Sequence, residues 1–339
     1  MRGLVYYGPE RMEMAKLPDP KPAAGEALLK VKATGICGSD LHGYLGTTGR
    51  RIPPMVMGHE FAGEIIELGS GSGEFHVGDR VVVQPVIFCG KCEPCRRGAT
   101  NQCASRKLFG VMDLNGSMAD FISVPQSLMY RLPANVDYLS AAMIEPLAVA
   151  YSATKRAELR GKDVLIVGSG TIGLLILQIV VASGPRMVAV SDVNDFRLGL
   201  AKKLGATHII NPSKDDFAKS IGDLTEKKGF DVAFEAVGIT ATVRQAMSSL
   251  RAEGECVWVG NSEKDISLNM QEVVTKALRI LGTYTYTHAE FGDALELLVR
   301  GKVDMTHLIS KVAPLEQGPD MFRLQTKEPG SLVKIILTE

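Results

Sequence analysis

The sequence has no excess of charge of either sign. Its 339 residues contain 38 Lys and Arg against 38 Asp and Glu, so the formal net charge at pH 7 is zero. Proteins that bind nucleic acid or an anionic membrane surface usually carry a basic excess. The balance therefore argues against both kinds of partner, and it does not call for an ionic substrate.

Long uninterrupted apolar segments are also absent. The first twenty residues, MRGLVYYGPERMEMAKLPDP, have no apolar core behind Arg2 and do not resemble a secretory signal. Residues 164–185 contain no charged side chain, and a membrane-spanning helix needs about 20 such residues. However, GSG at 168–170 interrupts this run and Pro185 ends it. We therefore predict a buried strand followed by a buried helix, in a cytoplasmic protein.

Cysteine is scarce, but four of the six cysteines lie in CGKCEPCRRGATNQC, residues 89–103. Disulfides are disfavoured because cytoplasmic thiols stay reduced. The spacing C-x2-C-x2-C-x7-C of Cys89, Cys92, Cys95 and Cys103 suits a closed, structural site with four thiolates around zinc. Iron–sulfur motifs usually continue with x3 and a proline, and nucleic-acid-binding zinc ribbons separate two C-x2-C pairs more widely. These two alternatives, and that of thiols without a ligand, are less favoured than a structural zinc.

The pattern of predicted secondary structure changes near residue 160. A single core rarely exceeds about 250–300 residues, so two domains are expected. Residues 1–147 contain short β-like runs such as EALLKVKATG and DRVVVQPV, separated by Gly and Pro clusters. After residue 160, strand patterns alternate with helix patterns, which predicts parallel βαβ units. The final run, GSLVKIILTE, reads as a strand that could return to the first domain.

A dinucleotide-binding motif opens the second part. GSGTIG at 168–173 follows a predicted strand and begins a predicted helix, where glycines allow a tight turn and backbone N–H groups face a pyrophosphate. Asp192, nineteen residues past Gly173, is placed to bind the ribose hydroxyls and to repel a 2′-phosphate, which favours NAD over NADP. Arg197 reads equally well as a cofactor contact or a surface residue. The residues predicted to bind the cofactor are Gly168, Gly170, Thr171, Ile172, Gly173, Asp192, Arg197, Val237, Val259 and Gly260.

A second set of candidate metal ligands is dispersed along the chain. Cys37 lies in GICGSDLH, His59 and Glu60 in MGHEF, and Glu145 in MIEPLAV. A site with a thiolate, an imidazole and a carboxylate, and fewer than four protein ligands, leaves a position for water or substrate. His59-Glu60 does not begin an HExxH motif, because residue 63 is Gly, so a zinc peptidase is excluded. Sequence spacing does not show whether these positions meet.

These motifs together resemble a known family. GHEFAGEIIELGSGS matches the zinc-containing alcohol dehydrogenase signature, G-H-E-x2-G-x5-G-x2 followed by a small residue. With ICGSDLH, CGKCEPC and IEPLAV, the chain resembles the polyol (sorbitol, galactitol-phosphate) and threonine dehydrogenase branch over essentially its whole length. The resemblance implies an α/β protein. A GroES-like β-rich catalytic domain would span 1–148 and 288–339, with a structural zinc lobe at 86–107, and a Rossmann domain with a doubly wound parallel sheet would span 149–287.

The resemblance also implies site residues. Two zinc ions per chain and NAD would be bound. Cys37 and His59 would hold the catalytic zinc; Glu60 and Glu145 would be its acidic ligands, one directly and the other through water or in some states only. Ser39 would take the substrate proton and His42 would pass it outward, so Ser39, His42 and Glu60 form the predicted catalytic set.

The implied reaction is hydride transfer between NAD and a secondary alcohol or ketone. The implied substrate is a polyol, a sugar alcohol or its phosphate, or a diol, and homo-oligomers (dimers or tetramers) are typical of the family. A threonine 3-dehydrogenase-like enzyme and a non-catalytic zinc-binding interaction protein are the alternatives. Gly43 and Thr285 replace an aromatic residue and an arginine of sorbitol dehydrogenases, so sorbitol itself is not implied.

Overall fold

The computed structural model describes residues 1–71 and 73–339. Ser72, the last residue of the signature sequence, lies outside them. The chain forms two compact units, and each is described by itself. The first unit contains Met1–Glu145, Thr287–Arg300 and Met305–Glu339; the second contains Pro146–Tyr286 and Gly301–Asp304.

The predicted boundaries, 148/149 and 287/288, differ from the observed ones by one to three residues. The larger difference is the short segment Gly301–Asp304, which was predicted to lie in the first domain and belongs to the second unit. Its Asp304 is held there by two hydrogen bonds: the Gln178 amide donates to Asp304 O (2.9 Å), and Asp304 N–H donates to Gln178 Oε1 (2.6 Å).

The described residues form the following strands and helices, numbered in chain order. The strands are β1 (Arg2–Gly8), β2 (Arg11–Lys16), β3 (Glu26–Gly35), β4 (Met55–Val56), β5 (Glu60–Leu68), β6 (Arg80–Val83), β7 (Val86–Ile87), β8 (Lys107–Leu108), β9 (Phe121–Pro125), β10 (Met129–Arg131), β11 (Asp163–Val167), β12 (Met187–Ser191), β13 (His208–Ile210), β14 (Phe230–Glu235), β15 (Leu250–Trp258), β16 (Arg279–Gly282), β17 (Ile309–Pro314) and β18 (Lys334–Thr338). The helices are α1 (Gly38–Tyr44), α2 (Glu93–Arg96), α3 (Tyr138–Ala142), α4 (Ile144–Thr154), α5 (Thr171–Ala182), α6 (Asp195–Lys203), α7 (Phe217–Leu224), α8 (Thr240–Ser248), α9 (Met270–Thr275), α10 (His288–Val299) and α11 (Gly318–Lys327).

The first unit is built on a mainly antiparallel sheet with the strand order β10-β6-β5-β3-β18-β17, and β9 also pairs with β3. The predicted strand EALLKVKATG is β3, the central strand; seven of its ten residues are buried. A smaller sheet, β2-β1-β4, packs its apolar side chains with those of α11 and β18 in one core cluster. The first part of the chain is therefore β-rich, as predicted.

The register of three strands brings distant sequence segments together at one edge of this sheet. Gly35, at the end of β3, lies opposite Glu60 at the start of β5. On its other side Gly35 lies opposite Ile336 of β18. The prediction that the final strand returns to the first domain is confirmed. The residues after β3, those before β5 and the start of β18 consequently share one corner of the sheet.

The second unit is a six-stranded sheet in which all neighbouring strands are parallel. Its order, β13-β12-β11-β14-β15-β16, is 3-2-1-4-5-6 in the numbering of the unit's own strands. This is the doubly wound order of dinucleotide-binding domains, which bind ligands where the strand order reverses, beside the carboxyl ends of the strands. The predicted Rossmann fold is confirmed.

The uncharged run at 164–185 forms most of β11 and all of α5, both deeply buried. The prediction of a strand followed by a helix is therefore confirmed. Within residues 1–71 and 73–339, the structure contains no helix long and apolar enough to cross a membrane. Burial within the parallel sheet and its covering helix accounts for the missing charges.

Candidate active site

The dispersed metal-ligand set begins at the turn between β3 and α1. Cys37 is the N-cap of α1: its Sγ accepts hydrogen bonds from the backbone N–H of Ser39 (3.5 Å) and from Ser39 Oγ (3.4 Å). In return, the Asp40 carboxylate accepts from the backbone N–H of Cys37 (3.2 Å). This reciprocal capping box fixes the direction of all three side chains. The predicted ligand Cys37 and the predicted proton acceptor Ser39 are therefore in contact.

His42 lies on the same face of α1 as Ser39, because residues three apart in a helix are neighbours. Both side chains are exposed. This placement suits a group that exchanges protons with solvent, and the role of His42 as the outer relay stays a prediction.

Cys37, His59 and Glu60 are brought together by the fold. Their candidate ligand atoms all lie within 4.8 Å of one another. His59 and Glu60 are buried and Cys37 is partly exposed, so solvent reaches the group at Cys37. Glu145, the first-turn acid of α4, lies outside this set of three but close enough for its charge to raise the pKa of His59. The geometry thus favours Glu60 over Glu145 as the nearer carboxylate.

The surroundings of His59 are strongly negative. Burial lowers the pKa of His59, but the charges of Asp40, Cys37 and Glu145 outweigh it and raise the pKa to about 10. Its Nδ1 lies 3.5 Å from Asp40 Oδ1 and has no hydrogen-bond partner among the described residues. A carboxylate behind a ligating imidazole is the usual means of fixing the ring for a metal.

Glu60 is held by a buried ion pair that the sequence did not reveal. The ammonium of Lys334, at the start of β18, donates to both carboxylate oxygens of Glu60 (2.7 and 2.8 Å) and to the carbonyl of Ile36 (3.1 Å). Their side chains are 2% and 1% exposed. Glu60 raises the pKa of Lys334 despite the opposing effect of burial. Gly35 has to be glycine here, because a Cβ would lie 2.1 Å from Glu60 Oε2.

The donor set fits a divalent metal of the zinc type. A thiol, an imidazole and a carboxylate are zinc ligands, and three protein ligands leave a position for another group. The cluster of negative groups around His59, namely Asp40, Cys37 and Glu145, calls for a cation. Lys334 holds Glu60, and Asp40 contacts both Cys37 and His59, as outer partners of metal ligands do.

The four-cysteine lobe is a second, separate group. Cys89, Cys92, Cys95 and Cys103 also have all their sulfur atoms within 4.8 Å of one another, and none forms a disulfide. The chain folds round them through sulfur-directed hydrogen bonds: the N–H of Cys92 donates to Cys89 Sγ and that of Cys89 to Cys103 Sγ, both at 3.4 Å. The local spacing thus produces the convergence that it predicted.

The thiols of the lobe differ in acidity. Hydrogen bonds from the backbone N–H groups of Lys91 and Cys92 lower the pKa of Cys89 to about 6. Burial, and then the Cys92 thiol, raises the pKa of Cys95 to about 12. Four thiols sharing one space cannot all ionise without a cation, whereas four thiolates around zinc form a closed site. The lobe therefore fits a structural zinc.

The glycine loop of the second unit, residues 168–173, has a conformation and close contacts that only glycine allows. Gly168 has φ = 101°, a conformation that side chains disfavour. A Cβ at Gly173 would lie 1.8 Å from Gly168 O, so the helix and the preceding turn pack without room for a methyl group. Gly170 caps α5 and has open space beside it, while Thr171 and Ile172 form the first turn of the helix. Free N–H groups at this helix end suit a pyrophosphate.

Asp192 follows β12 and contacts the glycine loop. One of its oxygens accepts from the N–H (2.6 Å) and Oγ (2.8 Å) of Ser169, and the other from the N–H of Asn194 (2.9 Å). Asn194 in turn is the N-cap of α6, because its side chain accepts a hydrogen bond from the N–H of Arg197 (3.1 Å). Asp192 and Arg197 therefore stand beside the loop where a ribose would bind, and their cofactor contacts stay predictions.

The remaining predicted cofactor residues lie at the carboxyl ends of β14 and β15. Buried Glu235 accepts from the N–H groups of Val237 (2.9 Å) and Gly238 (2.8 Å) and fixes the turn after β14. A Cβ at Gly260 would lie 2.1 Å from Gly238 N, so these two turns touch. Val237, Val259 and Gly260 thus share an edge with the glycine loop.

Three residues of the candidate metal site escaped the sequence analysis. Asp40 could have been found, since an acid at the third helical position after an N-cap is a capping-box signal. Lys334 and Arg51, which is ion-paired with Asp40, carry no such signal. Lys334 lies 274 positions from Glu60 along the chain, and only the register of the sheet joins them.

Two family models match the chain. Residues 23–134 match the alcohol dehydrogenase GroES-like domain, and residues 171–300 match the zinc-binding dehydrogenase domain. The GroES-like part of the predicted fold class is thereby confirmed alongside the Rossmann part.

Full-length relatives agree with these matches. The chain is similar to a sorbitol dehydrogenase of Bacillus subtilis (34% identical, covering 99% of this chain and 97% of the relative). It is also similar to an L-threonine 3-dehydrogenase of Pyrococcus abyssi (37% identical, covering 91% and 89%). Among solved structures, galactitol-1-phosphate dehydrogenase from Escherichia coli superposes with a TM-score of 0.93 at 28% identity, covering 100% of both chains.

Proposed function

Because this chain belongs to the zinc-containing alcohol dehydrogenase family, we propose that it transfers a hydride between NAD and a secondary alcohol or its ketone. The observation that carries this proposal is the convergence of Cys37, His59 and Glu60 within 4.8 Å. A closed structural site would need a fourth protein ligand, whereas a three-ligand site admits a substrate oxygen. The proposal includes two metal ions per chain, since the cysteine lobe is complete in itself.

The residues of the first unit would divide the work. Cys37, His59 and Glu60 would hold the metal, and Glu145 would be a further acidic group whose charge acts on His59. Zinc, when bound, supplies Lewis acidity toward a hydroxyl or carbonyl oxygen. Ser39 is placed beside Cys37 to accept the hydroxyl proton, because its Oγ reaches the Cys37 sulfur. His42, exposed on the same helical face, would release that proton to water, because histidine is the side chain suited to proton exchange near neutral pH.

The second unit would bind NAD. The glycine loop leaves room for the pyrophosphate at the start of α5, and the carboxylate of Asp192 favours ribose hydroxyls over a 2′-phosphate. The nicotinamide supplies the hydride acceptor, and the chemistry of that step belongs to the cofactor. NAD use over NADP is a proposal that rests on Asp192.

The substrate class is proposed from the relatives. A sorbitol dehydrogenase, an L-threonine 3-dehydrogenase and a galactitol-1-phosphate dehydrogenase act on different compounds that share a secondary alcohol. We therefore propose a polyol, a sugar alcohol or its phosphate, or a diol. A threonine-like amino alcohol is the second candidate, favoured by the 37% identity to the threonine enzyme.

The test is a panel of secondary alcohols assayed by NADH absorbance. It should contain free and phosphorylated sugar alcohols, vicinal diols and L-threonine, each with NAD and with NADP, before and after a chelator. We expect one class to reduce NAD, and activity to return when zinc is restored. If no alcohol responds, and no matching ketone oxidises NADH, while the protein holds its full metal content, the enzyme function is excluded and a zinc-binding interaction protein is left.

A homo-oligomer also remains a proposal. Met270 and Val274, on the helix α9 that precedes the edge strand β16 in the chain, are 70% and 68% exposed, which is unusual for large apolar side chains. Covering them with a second copy of the chain would remove that apolar surface from water. Light scattering on the purified protein would give the mass directly.

A further inference from the structure

Arg51 is a buried cation beside the candidate metal site. It lies seven residues after the end of α1, and its side chain is only 3% exposed. Its Nη2 donates to Asp40 Oδ1 (2.7 Å), with Ser39 Oγ a further 3.4 Å neighbour, and its Nη1 donates to the carbonyl of Arg50 (3.3 Å). Burying a charge this deeply costs free energy of solvation, and the Arg51 guanidinium is therefore not an ordinary surface group.

Gly43 provides the space that this side chain occupies. A Cβ at position 43 would lie 2.5 Å from Cγ and 3.3 Å from Nε of Arg51. The aliphatic stem of Arg51 thus lies directly over the helix backbone, where a residue with a side chain would exclude it. The glycine at position 43 of α1 is therefore what allows the Arg51 side chain of the following loop to pack against the helix.

The loop that carries Arg51 is anchored on both sides. The N–H of Met112 donates to the carbonyl of Arg50 (2.8 Å), and the N–H of Ile52 donates to the carbonyl of Met112 (3.0 Å). These bonds form a short parallel bridge at Arg51. The backbone around Arg51 is therefore fixed by Met112, and its guanidinium is fixed by Asp40.

Asp40 is the group through which Arg51 reaches the metal site. This carboxylate is fully buried and has three neighbours: the N–H of Cys37, Nδ1 of His59 and the guanidinium of Arg51. The oxygen that faces His59, Oδ1, is the one that Arg51 binds. Since the other oxygen accepts from Cys37, Asp40 touches two of the three candidate metal ligands.

We propose that Arg51 is a positioning residue for the catalytic metal site: clamped over Gly43, it holds Asp40 in the orientation that presents one oxygen to His59 and the other to Cys37. The inference rests on the proposed function, because it concerns the metal that the proposed function requires. It assigns to the loop after α1 a direct part in how tightly that metal is held. The guanidinium of Arg51 donates to Asp40, Ser39 and the Arg50 carbonyl, none of which is a candidate metal ligand.

The experiment measures zinc release to a chromogenic chelator from the zinc-loaded protein. Arg51→Met keeps much of the side-chain volume and removes the donors, and Arg51→Lys keeps the charge and loses the fork-shaped guanidinium. Gly43→Ala leaves Arg51 intact but displaces it. Arg50→Met is the matched control, since Arg50 is the exposed neighbour in the same loop. The zinc of the cysteine lobe serves as an internal reference in every variant.

The expected result is that Arg51→Met releases one of its two zinc ions about tenfold faster, at the lower end of the 10–100-fold usual for outer partners of metal ligands. Arg51→Lys should recover part of this loss. Gly43→Ala should also release zinc faster than the wild type, as Arg51→Met does, although Gly→Ala within a helix ordinarily stabilises the helix. The lobe zinc should be released at the same rate throughout, and kcat should fall while the KM for NAD is unchanged.

Equal release rates in Arg51→Met and Arg50→Met would overturn the inference and leave the proposed function standing. If Arg51→Met does not fold, Gly43→Ala decides, and release at the wild-type rate would overturn the inference equally. A wild-type protein that holds only the lobe zinc would overturn the proposed function and the inference together.

Discussion

The first unit contains two candidate metal sites that are built in opposite ways. The cysteine lobe takes all four ligands from residues 89–103 and uses backbone N–H groups as the partners of its sulfur atoms. The other site takes Cys37, His59 and Glu60 from the ends of two strands and surrounds them with the charged side chains of Asp40, Arg51 and Lys334. A local site is complete once its loop closes, whereas a dispersed site needs a supporting shell of charges.

That contrast has a chemical meaning. Four thiolates around zinc leave no coordination position free, so a metal bound in the lobe would serve to stabilise the fold. Three mixed ligands around a metal would leave one position free, and the buried ion pairs of Asp40 and Glu60 would hold the ligand set in place. The four predictions below separate the two sites by their effects on activity, stability and thiol reactivity.

The largest expected effect is the loss of the dispersed site through His59→Ala. We expect activity to fall by about 10³-fold or more, because metal stabilisation of charge contributes several kcal/mol and each 1.36 kcal/mol is tenfold in rate. The protein should retain one zinc. His76→Ala, which removes an exposed histidine of the same unit, is the control and should be fully active. An active His59→Ala enzyme would show that the dispersed site is not the catalytic one.

Removing one thiol of the cysteine lobe should lower the stability of the first unit. Cys103→Ser should lower the free energy of unfolding of the first unit by about 3 kcal/mol, since loss of a metal site is among the most damaging changes. Thermal unfolding should then shift by roughly 6–12 °C for a unit of this size. Cys256→Ser, which changes a buried cysteine outside the lobe, is the control. A Cys103→Ser protein that is as stable as this control would argue against a structural metal.

Ser39→Ala tests the proton path beside the dispersed site. Loss of general acid–base assistance typically costs about 10²–10⁴-fold, and we expect the lower end because water can reach this exposed position. Both zinc ions should remain bound. Ser70→Ala, at an exposed serine of the same unit, provides the comparison. A Ser39→Ala variant with unchanged kcat would assign the proton acceptor to another group.

The smallest effect concerns the metal-free lobe. Since the pKa of Cys89 is lowered to about 6, its thiolate is present above that pH and is lost as the pH falls through it. The pKa of Cys95 is raised to about 12, so this thiol stays protonated at pH 7. Because the thiolate is the nucleophile, iodoacetamide at pH 7 should modify Cys89 at least about tenfold faster than Cys95. Mass spectrometry of the alkylated peptides measures the ratio, and equal rates would contradict the assigned acidities.

The same contrast explains what the sequence could predict. The lobe and the glycine loop are local, so spacing alone identified Cys89 to Cys103 and Gly168 to Gly173. The alternation of strands and helices likewise predicted the parallel sheet. Cys37, His59 and Glu60 are candidate ligands by residue type, and the family resemblance groups them, but their convergence depends on Gly35 of β3 lying opposite Glu60 of β5. No periodicity in the sequence encodes that register.

The supporting charges were beyond sequence reasoning for the same reason. Lys334 reads as an ordinary residue of a terminal strand, and Arg51 as one of two adjacent arginines in a loop. Charged residues are rarely buried, so the default interpretation places both at the surface. Only the packed structure shows that each is enclosed and paired with a carboxylate of the site.

Metal analysis by mass spectrometry tests the account most directly. The wild-type protein, His59→Ala and Cys103→Ser would be loaded with zinc, freed of excess metal and counted per chain. We predict two ions in the wild type, one in His59→Ala with the lobe intact, and a loss in Cys103→Ser confined to the lobe. A wild-type chain that binds a single ion, with His59→Ala binding just as much, would contradict the claim that Cys37, His59 and Glu60 form a metal site.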